Sequence, residues 1–217
     1  MRLLYRLLLG VPAMGILLLP GHGRAGADDA QLSSQSETTD AHIGLFGYGK
    51  KEFSIIAGYG SIIQIGGRTD DMNDLEYMYV APRLGIGISD HLGEDTWYCG
   101  AFELIAEAPL LFSFEPRTGK AAGGSLLLRY NFLPGGKFIP FVETGGGITI
   151  LDFDVEGQSD GFNFSLQGGL GLHYFLEERT ALTGGWRWLH ISNAGISRPN
   201  QGIDSSLFMV GVSFFLE

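Results

Sequence analysis

The segment FNFSLQGGLGLHY, residues 162–174, alternates between two kinds of side chain. Phe162, Phe164, Leu166, Leu170, Leu172 and Tyr174 fall on even positions, and Asn163, Ser165, Gln167 and His173 on odd ones. A strand turns successive side chains to opposite faces, whereas a helix would mix the two sets, so this is a strand with one apolar and one polar face. The same period recurs to the end of the chain. It predicts strands over 52–65, 75–89, 97–111, 121–133, 138–152, 161–175, 180–192 and 205–216, an all-β chain. The 34 glycines and plentiful aromatics suit strands whose backbones pack closely.

The phase of the alternation carries from strand to strand. Even positions supply Phe102, Leu104, Leu110, Leu126, Leu128, Tyr130, Ile148, Ile150, Phe208, Val210, Val212 and Phe214. Odd positions supply Arg83, Glu103, Glu107, Arg129, Glu143 and Arg187. A soluble lipocalin-like barrel would turn the apolar set inward. Three features favour the inverse: long strands, an even strand count, and carboxylates and arginines able to pair in a lumen with room only for side chains. The expectation is an eight-stranded antiparallel transmembrane β-barrel of the outer membrane, with lipid on the apolar face. The last strand, SLFMVGVSFFLE, is apolar and aromatic, although Leu216 and Glu217 displace the usual terminal Phe.

The other end of the chain agrees with export. Arg2 and Arg6 precede an apolar run from Leu7 to Leu19, followed by Ala25-Gly26-Ala27. That is the pattern of a secretory signal peptide over residues 1–27. A polar lead-in over 28–50 and a barrel over 51–217 complete the expected organisation. The formal charge of −10 leaves no basic patch for nucleic acid. Cys99 is alone, so neither an intramolecular disulfide nor a cysteine zinc site can form. His42, His91 and His173 lack ligand spacing, and no metal or cofactor is expected. Asp70, Asp71, Asn73 and Asp74 could bind a divalent cation, but read more simply as a solvated turn.

Outer-membrane barrels keep short turns periplasmic and long loops outside. Short turns are expected at 133–137 and 177–179, and longer loops at 67–74, 153–160 and 193–204; the 90–96 turn is longer than the rule prefers. Strand 180–192 then ends at the outer leaflet. It ends with chemistry: WRWLHISNAGISRPNQGID, residues 186–204. His190 and Ser192 stand two apart, on the lipid-facing side with Trp186 and Trp188. Asp204 opens the next strand and can return beside His190. A serine needs a base and the base an orienting acid, and this hairpin holds all three. Asn193, Gly195 and Asn200 could donate hydrogen bonds to an oxyanion. The plainer alternative is an ordinary turn rich in Asn, Gly and Pro.

The run HISNAGISRPNQGID, residues 190–204, closely resembles the signature of the outer-membrane lipid A 3-O-deacylases, the PagL family. FIPFVETGGGI (138–148) and NFSLQGGLGL (163–172) look like the fifth and sixth strands of that family. The resemblance implies hydrolysis of the ester joining a 3-hydroxyacyl chain to the 3-position of lipid A. By motif position Ser192 matches the nucleophile, His190 the base and Asp204 the orienting acid. Asn193, Gly195 and Asn200 match the loop around the oxyanion, and Phe164 an aromatic beside the site. Asp204 departs from the pattern, where glutamate is expected; one methylene shorter, it requires close strand pairing to reach His190. The implied partners are lipopolysaccharide and the outer membrane, and a homodimer is left open. The competing readings are a non-enzymatic small barrel with a structural or adhesion role, and a soluble lipid-binding barrel.

Overall fold

The computed structural model describes residues 42–63 and 74–216. The expected signal peptide, the first part of the lead-in and Asp70, Asp71 and Asn73 lie outside the described residues. Among the described residues nine strands form: β1 Lys51–Ile62, β2 Glu76–Gly87, β3 Gly100–Glu107, β4 Leu110–Glu115, β5 Gly119–Phe132, β6 Phe138–Asp152, β7 Gly161–Glu177, β8 Thr180–Ser192 and β9 Ile203–Leu216. Each is antiparallel to its neighbours, and β1 pairs with both β2 and β9, which closes the sheet. Both β3 and β4 lie between β2 and β5, so they are two halves of one stave. The result is a closed eight-stave antiparallel barrel.

The break within that stave has a chemical cause. Pro109 has no N–H to offer the ladder. The chain steps across it with Ala108 N–H donating to the Pro82 carbonyl (3.1 Å) and the Pro109 carbonyl accepting from Gly123 N–H (3.0 Å). The stave then continues through Phe112 and Phe114, both exposed, to Glu115. The strand expected to stop at 111 is therefore longer, and its turn is confined to 116–118.

The two faces are sorted as the alternation requires. Arg83, Glu103, Glu107, Arg129, Glu143 and Arg187 are buried in the lumen, while Leu84, Leu126, Leu166, Leu170, Phe208 and Val210 are exposed on the outside. On β1 the phase is reversed, with Glu52, Ser54 and Ile56 inward and Ile55 and Tyr59 outward. Phase between strands depends on the residue count of the connection, so a common parity is not obligatory.

The lumen is filled in three layers. At the end carrying loops 153–160 and 193–202 sits an apolar cluster that includes Tyr77, Leu111, Phe153, Leu189, Ile191 and Leu207. At the other end Phe46 enters from the chain before β1 and packs edge-on against Phe215, whose ring lies 5.1 Å away. His42 stacks on Phe175 at 4.3 Å. The described part of the expected polar lead-in is thus partly a plug. Between the two clusters lies an ionic layer. Glu143 pairs with Arg187 Nη2 (2.5 Å) and Arg129 Nη2 (3.1 Å), and Glu107 with Arg187 Nη1 (2.9 Å) and Arg83 Nε (2.6 Å). Glu52 accepts from Arg129 Nη1 at 2.9 Å. A buried charge costs several kcal/mol unless it is paired and hydrogen-bonded, which this layer provides.

Replacing one partner leaves its neighbours' charges buried without it. Arg187→Met is expected to lower stability by about 3–5 kcal/mol, read as a fall in the urea midpoint of the barrel in detergent micelles. Arg117→Met, which removes an exposed pair with Asp154, should stay within about 1 kcal/mol of the parent. Equal midpoints for both variants would refute a stabilising ionic layer.

Candidate active site

β8 places its side chains by alternation: Arg187, Leu189 and Ile191 are buried, whereas Trp186, Trp188, His190 and Ser192 stand half-buried on the outer face. Its neighbours set what each one meets. β9 brings Asp204 directly opposite His190, and β7 brings Phe164 directly opposite Ser192 and Leu166 opposite His190. Residues paired this way across an antiparallel ladder have their Cβ atoms roughly 5 Å apart. That closeness is what the short arm of Asp204 needs.

The three side chains form a continuous hydrogen-bonded chain. His190 Nδ1 lies 2.9 Å from Asp204 Oδ1, and His190 Nε2 lies 3.0 Å from Ser192 Oγ. One neutral tautomer satisfies both contacts, with Nδ1–H donating to the carboxylate and Nε2 accepting from the serine hydroxyl. Asp204 is anchored from its other side, its carbonyl accepting from Ile63 N–H at 2.9 Å. Trp188 lies nearly parallel to His190, with ring centroids 5.9 Å apart, and Trp186 Nε1–H donates to Ser206 Oγ at 2.6 Å. Phe164 is exposed on the outer surface and meets Phe162 edge-to-face at 5.1 Å.

The loop after Ser192 is built on Asn193, which is fully buried. Its Oδ1 accepts from Gly195 N–H (2.9 Å), and its Nδ2 donates to Ser197 O (3.1 Å) and Ser197 Oγ (2.9 Å). Its backbone N–H donates to Asn200 Oδ1 at 3.0 Å. Ala194 and Gly195 both take positive φ, 54° and 84°, to complete the bend. The Asn193 amide and the Gly195 N–H, expected as oxyanion donors, are therefore already engaged in holding the loop. Asn200 is engaged through Oδ1, while its Nδ2 and the Ala194 N–H make no hydrogen bond among the described residues.

A second loop, between β6 and β7, clamps this one. The buried Gln158 accepts from Gly202 N–H through Oε1 (3.0 Å) and donates through Nε2 to Asn163 Oδ1 (2.8 Å). Ser159 donates to the Pro199 carbonyl from both N–H (2.8 Å) and Oγ–H (2.7 Å), and Gln201 N–H donates to Gly157 O (2.8 Å). Gly202 has φ of 77°, and a Cβ there would fall 2.9 Å from His190 Cε1. Gln158 and Gly202 thus fix the wall against which the imidazole rests. Gln158 carried no signal in the sequence, since an isolated glutamine in a Gly- and Asp-rich loop resembles any solvated turn.

Two solved structures share the architecture. The outer membrane enzyme PagL is 22% identical, with 73% of this chain and 97% of that one covered and a TM-score of 0.52. Neisserial surface protein A is 14% identical, with 76% and 96% covered and a TM-score of 0.50. One is an enzyme and the other a surface protein, so the shared barrel by itself does not select a function. No curated protein sequence matches the chain. A family model does, described as lipid A 3-O-deacylase (PagL), and its match runs over residues 63–213 and takes in Phe164, the His190–Ser192 strand end and Asp204. With well over half of its length under that match, the chain belongs to the lipid A 3-O-deacylase (PagL) family of the outer membrane.

Proposed function

We propose that the protein is a serine esterase that removes the 3-hydroxyacyl chain ester-linked at the 3-position of lipid A in the outer leaflet. The observation that carries this reading is the Asp204–His190–Ser192 chain on the lipid-facing surface of the β8–β9 hairpin. Ser192 Oγ attacks the ester carbonyl while His190 Nε2 takes its proton, and Asp204 holds the imidazolium by Nδ1–H. The developing oxyanion finds its donors in the loop over Ser192, where Ala194 N–H and Asn200 Nδ2 are uncommitted. Collapse breaks the ester bond, and His190 returns the proton to the leaving sugar oxygen. Water then attacks the acyl-enzyme with His190 as base, releasing the hydroxy fatty acid and restoring Ser192. The acyl chain lies along outward side chains such as Phe164, Leu166 and Leu170. The signal-peptide pattern of residues 1–27 supports the export that this location requires.

The decisive experiment incubates purified lipid A with the refolded barrel and weighs the product. The unaltered protein should remove one hydroxyacyl mass, and Ser192→Ala should reduce the rate by at least about a thousandfold. Intact lipid A after treatment with correctly folded, unaltered protein sinks the assignment. Equal deacylation by Ser192→Ala would reject the serine mechanism.

Gln158 acts on the reaction only through the position of the β8–β9 loop. Gln158→Ala is expected to lower kcat by up to about a hundredfold, because misplacing a reacting group by 1 Å costs on that order. KM should change little, since Gln158 is buried away from the acyl-binding surface. A loss confined to KM would contradict the positioning role.

A further inference from the structure

The β8–β9 loop carries a cation that the chemistry above does not use. Ser197 and Pro199 are each held by two hydrogen bonds, from Asn193 Nδ2 and from Ser159 respectively. Arg198, fixed between them, is exposed, and its guanidinium has no hydrogen bond or ion pair among the described residues. Carboxylates are not lacking nearby. Asp152, Asp154, Glu156 and Asp160 belong to the adjoining β6–β7 hairpin, yet Asp154 pairs with Arg117 (3.5 Å) and Asp160 Oδ1 accepts from Phe153 N–H (2.9 Å). From Phe138 to the end of the chain the lysines and arginines are Arg179, Arg187 and Arg198. Arg179 is in the turn at the opposite end and Arg187 is buried in the lumen. Arg198 is therefore the single cation that this half of the barrel presents at the site end.

Beside it, Ile196 is 68% exposed. An apolar side chain two residues from an uncommitted guanidinium, on a loop fixed over the reactive serine, suits a lipid boundary. At such a boundary an apolar side chain like that of Ile196 suits acyl chains and a cation like that of Arg198 suits headgroups. Among anions, a phosphate monoester matches the planar fork of a guanidinium with two parallel N–H···O bonds. Arg117, at the same end, is already paired with Asp154, and a cation without such a partner restricts where an anionic headgroup can settle.

We propose that Arg198 binds a phosphate group on the sugar headgroup of the same lipid whose ester is cleaved, so orienting that ester over Ser192. This rests on the function proposed above. It makes Arg198 a specificity residue: substrates with the phosphate are favoured over the same lipid without it.

The test compares kcat/KM for phosphorylated lipid A and for its enzymatically dephosphorylated form, both in neutral detergent. In the unaltered protein the ratio should favour the phosphorylated lipid and fall as salt is raised. Arg198→Ala should reduce that ratio by about 10- to 100-fold, the range of a charged hydrogen bond, and Arg198→Lys should restore part of it. An unchanged ratio, including one in which both substrates lose activity equally, overturns the proposal. So does rescue of the dephosphorylated substrate by added anionic phospholipid, which would assign the phosphate to a neighbouring lipid. Should unaltered protein cleave neither lipid, the esterase reading fails, and equilibrium binding of the two lipids decides Arg198 by itself. Equal affinity of the parent for both lipids would then reject it, and a preference lost in Arg198→Ala would uphold it.

Discussion

Glu143 is paired with three guanidiniums at once, Arg83 from β2, Arg129 from β5 and Arg187 from β8, and the placement of the site depends on the last of these bonds. A strand has only two ways to face. With Arg187 drawn into the lumen, Trp188, His190 and Ser192 take the alternate positions, and all three must point outward. A slip of one residue would bury the imidazole in the apolar layer of Leu111, Ile203 and Leu207 and present an arginine to lipid. Each alternative is expensive: an unpaired charge in hydrocarbon on one side, an unmatched polar pair in an apolar layer on the other. The ionic layer therefore selects the phase of the very strand that carries the serine.

Phase alone does not make a triad, because the acid comes from another strand. The β8–β9 register supplies it, setting Asp204 opposite His190 rather than one step along the diagonal. Opposed positions are the closest that two strands offer, and an aspartate has enough reach only there. A glutamate would tolerate a looser geometry. The shorter acid is thus a consistent choice for this backbone, and the clamp from Gln158 to Gly202 keeps that backbone from relaxing away.

These two levels were unequally visible beforehand. The apolar and polar faces and the outward direction of His190, Ser192 and Phe164 follow from period-2 spacing, which needs no knowledge of neighbours; that Phe164 lies beside the site was implied by the family resemblance, since it depends on the β7–β8 register. The reversed phase of β1 is not legible that way, because it depends on a connection whose path the strand pattern does not encode. Pro109 could be seen but not its outcome, since a proline ends one strand and merely interrupts another according to whether the ladder resumes beyond it. Asn193 was visible as a polar residue next to the serine. The bonds it makes within the loop were not visible, because donor capacity does not reveal which donors are engaged. Gln158 acts across a gap of 44 residues from its partner, and nothing local distinguishes it.

The boundary position of the site also answers a chemical requirement. Hydrolysis by an acyl-enzyme needs an acyl chain delivered in its own solvent and a water molecule for the second half-reaction. No site deep in the apolar belt would be supplied with water, and none in the loops would hold a lipid chain without extracting it. Ser192 is the last residue of β8, with exposed Phe164 and Leu166 on its hydrocarbon side and the exposed residues 194–199 of the loop above. His190 keeps 27% of its side chain accessible, which in the proposed mechanism leaves water a route to the imidazole for the second half-reaction. The end of a barrel strand is where both supplies meet. It is also where a hairpin offers three side chains from neighbouring strands without disturbing the paired charges that hold the lumen closed.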